Sequence, residues 1–242
     1  MISSKIAIKL EGVSTVYEGE RRPAIRDINL TVEKNELVYV LGPNASGKTT
    51  LLETINGLLP IFHGKISVFG LDITTQGRRA RCEIGYVPQD FMVEPGEPYT
   101  AFDVVMMGRY SKIGVLNKPD KRDHEQVAET MKLLEIENLA RRPMGKLSGG
   151  QQQKVMIARA LAKEPKILLF DEPFSNLDPE SRENIPLLIN TFHKEKEMTT
   201  LIVTHDLQGM LENCGRVVVI NNGRVMVNDT PDKALEQWRS LS

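Results

Sequence analysis

Gly42-Pro43-Asn44-Ala45-Ser46-Gly47-Lys48-Thr49 and Leu147-Ser148-Gly149-Gly150-Gln151 are the two stretches on which the reading of this chain turns. The first fits G-x-x-x-x-G-K-[ST], a loop whose backbone N–H groups cradle phosphates. Its surroundings suit that pattern. Leu37 to Leu41 form an apolar run that reads as a buried strand, and Thr50, Leu51, Leu52 and Ile55 follow at helical spacing. The second stretch has no ordinary structural job, because two adjacent glycines weaken a helix start unless something must approach the backbone closely. Both stretches point to phosphate.

The remaining pieces follow in order. Ile167-Leu168-Leu169-Phe170-Asp171-Glu172 is a continuous apolar run closed by two carboxylates. It suits a fully buried parallel strand with acids at its carboxyl end, where open α/β sheets bind ligands. Ser175-Asn176-Leu177-Asp178 comes next, and Leu201-Ile202-Val203-Thr204-His205-Asp206 is another apolar strand ending in a histidine. Gln89 sits just past Ile84-Gly85-Tyr86-Val87-Pro88. Taken as an ordered set, these segments resemble the ATP-binding cassette (ABC) ATPases over about residues 6–227, nearly the whole chain. The resemblance implies an α/β fold with a P-loop NTPase (RecA-like) core, and ATP with Mg²⁺ as cofactors.

Periodicity adds two further pieces. Ile6, Ile8 and Leu10 alternate with polar residues, as do Ile28, Leu30 and Val32, which predicts an N-terminal antiparallel β subdomain. A turn at Glu33-Lys34-Asn35 leads into the phosphate-loop strand. Between residues 90 and 160 the pattern becomes helical, with Val104 to Met107 and then Val127, Met131, Leu133, Leu134 and Ile136. Residues 90–160 therefore read as a helical subdomain inserted into a sheet-based core, within one cassette over residues 1–242. Pro186 falls inside the helix expected after Asp178-Pro179, where proline removes a hydrogen bond and kinks the chain.

Residue by residue, Lys48 is placed to reach the β- and γ-phosphates, and the helix start near Thr49 aims its positive end at them. The Thr49 hydroxyl suits Mg²⁺, and Asp171 would hold the same ion. Glu172 is the candidate general base, or the group that orients the attacking water. By resemblance, Gln89 is the third metal-site residue and His205 contacts the γ-phosphate. Gly42 to Thr50 form the ATP-binding loop, and Tyr17 is expected either to stack on adenine or to pack in the core. The other histidines, His63, His124 and His193, read as surface residues. Leu147, Ser148, Gly149, Gly150 and Gln151 offer N–H groups at a helix start as an anion site. The resemblance implies that this segment caps the ATP held by a second copy of the cassette. Two cassettes then sandwich two ATPs, with Asp178 at the seam.

Composition narrows the setting. The formal net charge is -1, which leaves no electrostatic footprint for nucleic acid. Cys82 and Cys214 lie far apart and show no metal spacing, so free thiols in a reducing compartment are the simplest reading. No apolar run approaches the roughly 20 residues needed to span a bilayer. The resemblance therefore implies a peripheral subunit at the cytoplasmic face of a membrane, held by transmembrane permease subunits and served by an extracytoplasmic substrate-binding protein. Tyr86-Val87-Pro88-Gln89 and the run Tyr99 to Tyr110, ending in Gly108-Arg109-Tyr110, are similar to cassettes of zinc and manganese importers. Iron-chelate importers carry a related segment, and an exporter cassette or a non-transport cassette acting on nucleic acid or the ribosome are the alternatives.

Overall fold

The structure is a computed structural model that describes residues 5–89, 98–114, 117–175, 177–205 and 214–241. The expected subdomain boundary at residue 90, and the motif residues Asn176 and Asp206, lie outside the described residues. Strands β1 (Ile6–Thr15), β2 (Ile25–Glu33), β4 (His63–Val68) and β5 (Leu71–Asp72) form an antiparallel sheet in the order β2-β1-β4-β5. Its register pairs Ile8 with Val32, Leu10 with Leu30 and Val13 with Ile28, and all six side chains are buried. Apolar cross-strand pairs on one face are what stabilise such a sheet. Ile6 departs from the expected face. A register shift between Ile6 and Ile8 turns it half outward, while Ala7 is fully buried.

The second sheet holds β3 (Leu37–Leu41), β6 (Ile84–Val87), β7 (Ile167–Asp171), β8 (Thr199–Thr204), β9 (Arg216–Asn221) and β10 (Arg224–Asp229). Its order is β10-β9-β3-β8-β7-β6, parallel throughout except for the β9–β10 hairpin. Every residue of β3, β7 and β8 is buried, which is why these strands are apolar without alternation. Alternation survives in what each face meets. Tyr39, Leu41, Leu168 and Phe170 belong to the core shared with the helices, whereas Val38, Val40, Leu169 and Val203 join the core under the antiparallel sheet.

Helix α1 (Lys48–Ile55) follows β3, and α2 (Ile73–Cys82) precedes β6. Between β6 and β7 the chain forms α3 (Ala101–Met107), α4 (Tyr110–Ile113), α5 (Lys121–Leu133) and α6 (Gly149–Ala162), the expected helical insert. Helices α3, α5 and α6 each start with a reciprocal capping box: Thr100 with Asp103, Asp120 with Asp123, and Ser148 with Gln151. Helix α7 (Pro179–Glu195) leads to β8, and α8 (Pro231–Leu241) closes the described chain. Helix α7 runs through Pro186 as one element rather than dividing there, with Pro186 buried. The residue four positions earlier, whose carbonyl loses its partner, is the exposed Arg182. Gly108 and Arg109 of the partner-type segment are internal, while Tyr99 and Tyr110 are exposed. No helix of the described residues is long and apolar enough to cross a membrane.

His63 and His124 are exposed as expected, but His193 is half-buried near the end of α7, with Nδ1 3.3 Å from the Thr200 hydroxyl. Burial pushes its pKa below the ordinary 6.5, and Lys194 adds to that against a hydrogen bond with the Met198 backbone. A histidine held neutral by the fold stabilises it above the unfolded-state pKa and loses that contribution as pH falls towards the folded value. We therefore expect the parent to lose thermal stability relative to His193→Gln as pH drops below about 6.5. Melting temperatures across pH 5 to 8 measure the difference.

Candidate functional site

The phosphate-type loop leaves β3 at its carboxyl end and enters α1. Gly42 is needed sterically, since a Cβ there would run into the Ile220 carbonyl at the end of β9. Gly47, with φ +105°, makes the left-handed turn that starts α1. Lys48 is 6% exposed, and its ammonium donates to the carbonyls of Gly42 at 3.0 Å and Pro43 at 3.1 Å. Glu172 Oε1 lies 3.6 Å from the same nitrogen. Ser46 is 3% exposed, and its hydroxyl has no partner among the described residues. A buried cation and an orphaned hydroxyl beside the loop amides are what an anion would satisfy. Tyr17, Glu20, Ala24 and residues 45–50 line the adjoining cavity of about 390 Å³.

Tyr17 sits at the lip of this cavity, half-buried. Its hydroxyl is 3.0 Å from Thr50 Oγ1 and donates to Glu53 Oε2 at 3.1 Å. The ring is thus tethered to α1 and borders the cavity instead of entering the core. Burial raises the phenol's pKa, and Glu53 adds to the shift.

Asp171 ends β7 at 1% exposure and accepts from Thr49 Oγ1 at 3.1 Å and from the Tyr86 hydroxyl at 3.5 Å. Burial, with Glu172 and Glu53 nearby, pushes its carboxyl up to about 6 against the pull of Thr49 and Lys48. Burial and Asp171 likewise raise the Tyr86 phenol. Glu172 has φ +48°, a left-handed turn directly after the strand. Its backbone is pinned: the N–H donates to Val203 at 2.9 Å, while Ser175 donates to its carbonyl through N–H at 3.1 Å and Oγ at 2.8 Å. Glu172 Oε2 lies 2.7 Å from His205 Nδ1, so one carboxylate sits between Lys48 and the half-exposed His205. Gln89 is exposed just past β6, at the same edge of the sheet. Sequence reasoning passed over Tyr86 and Glu53. Their signals were position: Tyr86 lies in the strand that ends near Gln89, and Glu53 lies four residues after Thr49 on α1.

No group of three or more His, Cys, Asp or Glu that could hold a metal occurs among the described residues. Mg²⁺ does not need one, since it is held by one or two protein oxygens together with water and substrate phosphates. The adjacent Thr49 hydroxyl and Asp171 carboxylate fit that pattern.

The second anion-type segment is elsewhere. Ser148 caps α6 by accepting from the Gln151 N–H, and Ser148 and Gly149 are both exposed at the helix start. Leu147 is buried beneath them. Gly150 lies against Ser181, where a Cβ would collide with the hydroxyl and come within 3.2 Å of Asp178. Asp178 caps α7 through Ser181, accepting from N–H at 2.9 Å and Oγ at 2.8 Å. Ser148, Gly150, Gln151 and Asp178 line a cavity of about 370 Å³ that shares no lining residue with the one at the phosphate loop.

The ABC transporter family model matches residues 25–175. The chain belongs to the ABC transporter family. It is the ATP-binding ATPase of such a system. The cassette is 41% identical to the manganese transport system ATP-binding protein MntB of Bacillus subtilis, over 83% of this chain and 78% of that protein. The zinc transport system ATP-binding protein TroB of Treponema pallidum is 35% identical over 89% of this chain and 78% of its own length. The sulfate/thiosulfate import ATP-binding protein CysA of Bacillus cereus is 38% identical over 96% of this chain, which spans 63% of CysA. Among solved structures, the cassette is similar to a putative metal-chelate type ABC transporter in an inward-facing conformation. There the TM-score is 0.82 at 29% identity, over 95% of this chain and 85% of the other. A dimeric bacterial ABC transporter cassette gives a TM-score of 0.80 at 30% identity, over 92% of this chain and 98% of the other.

Proposed function

We propose that this cassette is the ATP-hydrolysing subunit of a metal-ion importer of the zinc and manganese type. In this reading it works as a head-to-tail pair docked on permease subunits at the cytoplasmic face of a membrane, with an extracytoplasmic binding protein delivering the cargo. The observation that carries the pairing is the separation of the two phosphate-directed segments into distinct cavities. One chain does not need both for one ATP, so the segment at Ser148 serves the nucleotide of the second copy. The cargo rests on likeness to the manganese and zinc relatives. CysA supports a second reading, import of sulfate.

In the chemistry that follows, the loop from Gly42 to Thr50 binds the phosphates and Tyr17 bounds the adenine side. Lys48 exchanges the Gly42 and Pro43 carbonyls for β- and γ-phosphate oxygens. Thr49, Asp171 and Gln89 would hold Mg²⁺, which supplies charge neutralisation at the phosphates. Glu172, relieved of Lys48, takes the proton of the attacking water or orients that water, and His205 holds Glu172 and meets the γ-phosphate. Ser148, Gly149 and Gly150 of the other copy close the site, and Asp178 lies at the seam. ATP thus favours the closed pair, and loss of the γ-phosphate removes that preference.

Glu172→Gln should bind ATP as the parent does while turnover falls at least about a hundredfold, within the range of general-base removal, and the pair should accumulate with ATP. Steady-state hydrolysis beside sedimentation reads both effects. Lys48→Ala and Ser148→Arg should each be inactive alone, the first through weak nucleotide binding and the second through failed pairing. Mixed, they should recover activity, because one composite site takes both lesions and the other takes neither. No recovery in confirmed heterodimers would reject the head-to-tail arrangement. For the cargo, deleting the gene should lower cellular manganese or zinc accumulation and spare sulfate uptake; the reverse pattern selects the sulfate reading.

A further inference from the structure

Helix α6 carries Ser148 at its amino end and runs 14 residues, about 21 Å at 1.5 Å per residue. Arg109 sits at the other end, 5% exposed. Its Nε donates to Asp123 Oδ1 of α5 at 2.9 Å, and its Nη1 donates to the Ala162 carbonyl closing α6 at 2.9 Å. The same Nη1 donates to Glu164 Oε2 at 2.8 Å, and Lys112 of α4 reaches that carboxylate at 3.0 Å. Steric fit completes the junction, since a Cβ on Gly108 would run into the Arg159 carbonyl of α6. A planar guanidinium fork pinned to three partners is stiff, in a way a lysine could not reproduce. Beyond Ala162, Lys163 donates to the carbonyls of Arg81 at 3.1 Å and Ile84 at 2.7 Å, which ties this end of α6 to the core. Tyr99 and Tyr110, at the two ends of the α3–α4 corner, are 43% and 49% exposed.

We propose that Arg109 is the joint that sets the position of Ser148: it locks the α3–α4 corner, α5 and the carboxyl end of α6 into one body. Arg109 touches no nucleotide site and is a positioning residue. With an arm of about 21 Å, a turn of about 10° carries Ser148 by about 3.6 Å. That displacement is several times the roughly 0.5 Å width of the hydrogen-bond distance range, so a small rotation makes or breaks contact with a phosphate. The inference rests on the reading that Ser148 serves the ATP of a second copy.

The test uses the full chain in a Glu172→Gln background, with ATP-dependent pairing read by sedimentation and nucleotide affinity read with a fluorescent ATP analogue. Both are measured well below each variant's unfolding temperature. Arg109→Gln should bind the analogue within about twofold of its parent, yet need about tenfold more protein to pair. Glu164→Ala removes one arm of the fork at a carboxylate 44% exposed and keeps the Asp123 pair. It should fall between the two and decides the matter if Arg109→Gln does not fold. Pairing at parental concentration in both variants overturns the joint. Parallel loss of nucleotide affinity and pairing also overturns it, in favour of a general folding role. A Glu172→Gln parent that stays monomeric with ATP rejects the two-copy reading itself, and the joint falls with it.

Discussion

The parallel register of β3, β7 and β8 is the constraint on which the site depends. Leu41 pairs with Thr204 and Asp171 with Val203. The residues just past those strands, Gly42, Glu172 and His205, therefore emerge at one level of one sheet edge. No loop has to reach for them. The three strands are buried on both faces, so a slip in register would also misplace apolar side chains across the whole core. Hydrophobic packing thereby sets the spacing of the charged groups, and the strand ends carry function because the strand interiors are rigid.

The charges at that edge are arranged for an anion that the protein supplies only in part. Lys48 is buried, with two backbone carbonyls at hydrogen-bond distance and a carboxylate at 3.6 Å. A buried ammonium so partnered is costly relative to one paired with phosphate oxygens. Glu172 stands between Lys48 and His205, and Asp171 is pushed towards its neutral form by burial. A bound anion would satisfy Lys48, and a bound divalent cation would favour ionised Asp171. The fold therefore holds a pre-formed, under-satisfied electrostatic site.

Tertiary packing reassigns several residues whose sequence signal was ambiguous. Gly108 and Arg109 belong to a segment that resembles importer cassettes, yet they are interior, and the exposed residues of that segment are Tyr99, Asp103 and Tyr110. His193 looks like a surface residue on a charged helix but is half-buried against Thr200. Helix α7 continues through Pro186 as one element. Tyr17 lines the cavity rather than packing in the core, with its hydroxyl committed to α1.

From sequence alone the fold was legible wherever hydrophobic period and a loop motif agreed: the phosphate loop between β3 and α1, the acid-ended β7, the antiparallel strands and the helical insert. Those features are local, because a strand's burial is written in its own residues and a phosphate loop in its own glycines. The pairing of Glu172 with both Lys48 and His205, the raised pKa of Asp171 and the fork of Arg109 were not legible. Each joins residues far apart in the chain, with a sequence separation of 124 for Lys48 and Glu172 and 55 for Arg109 and Glu164. Such contacts depend on strand order and helix docking, which only the assembled core decides.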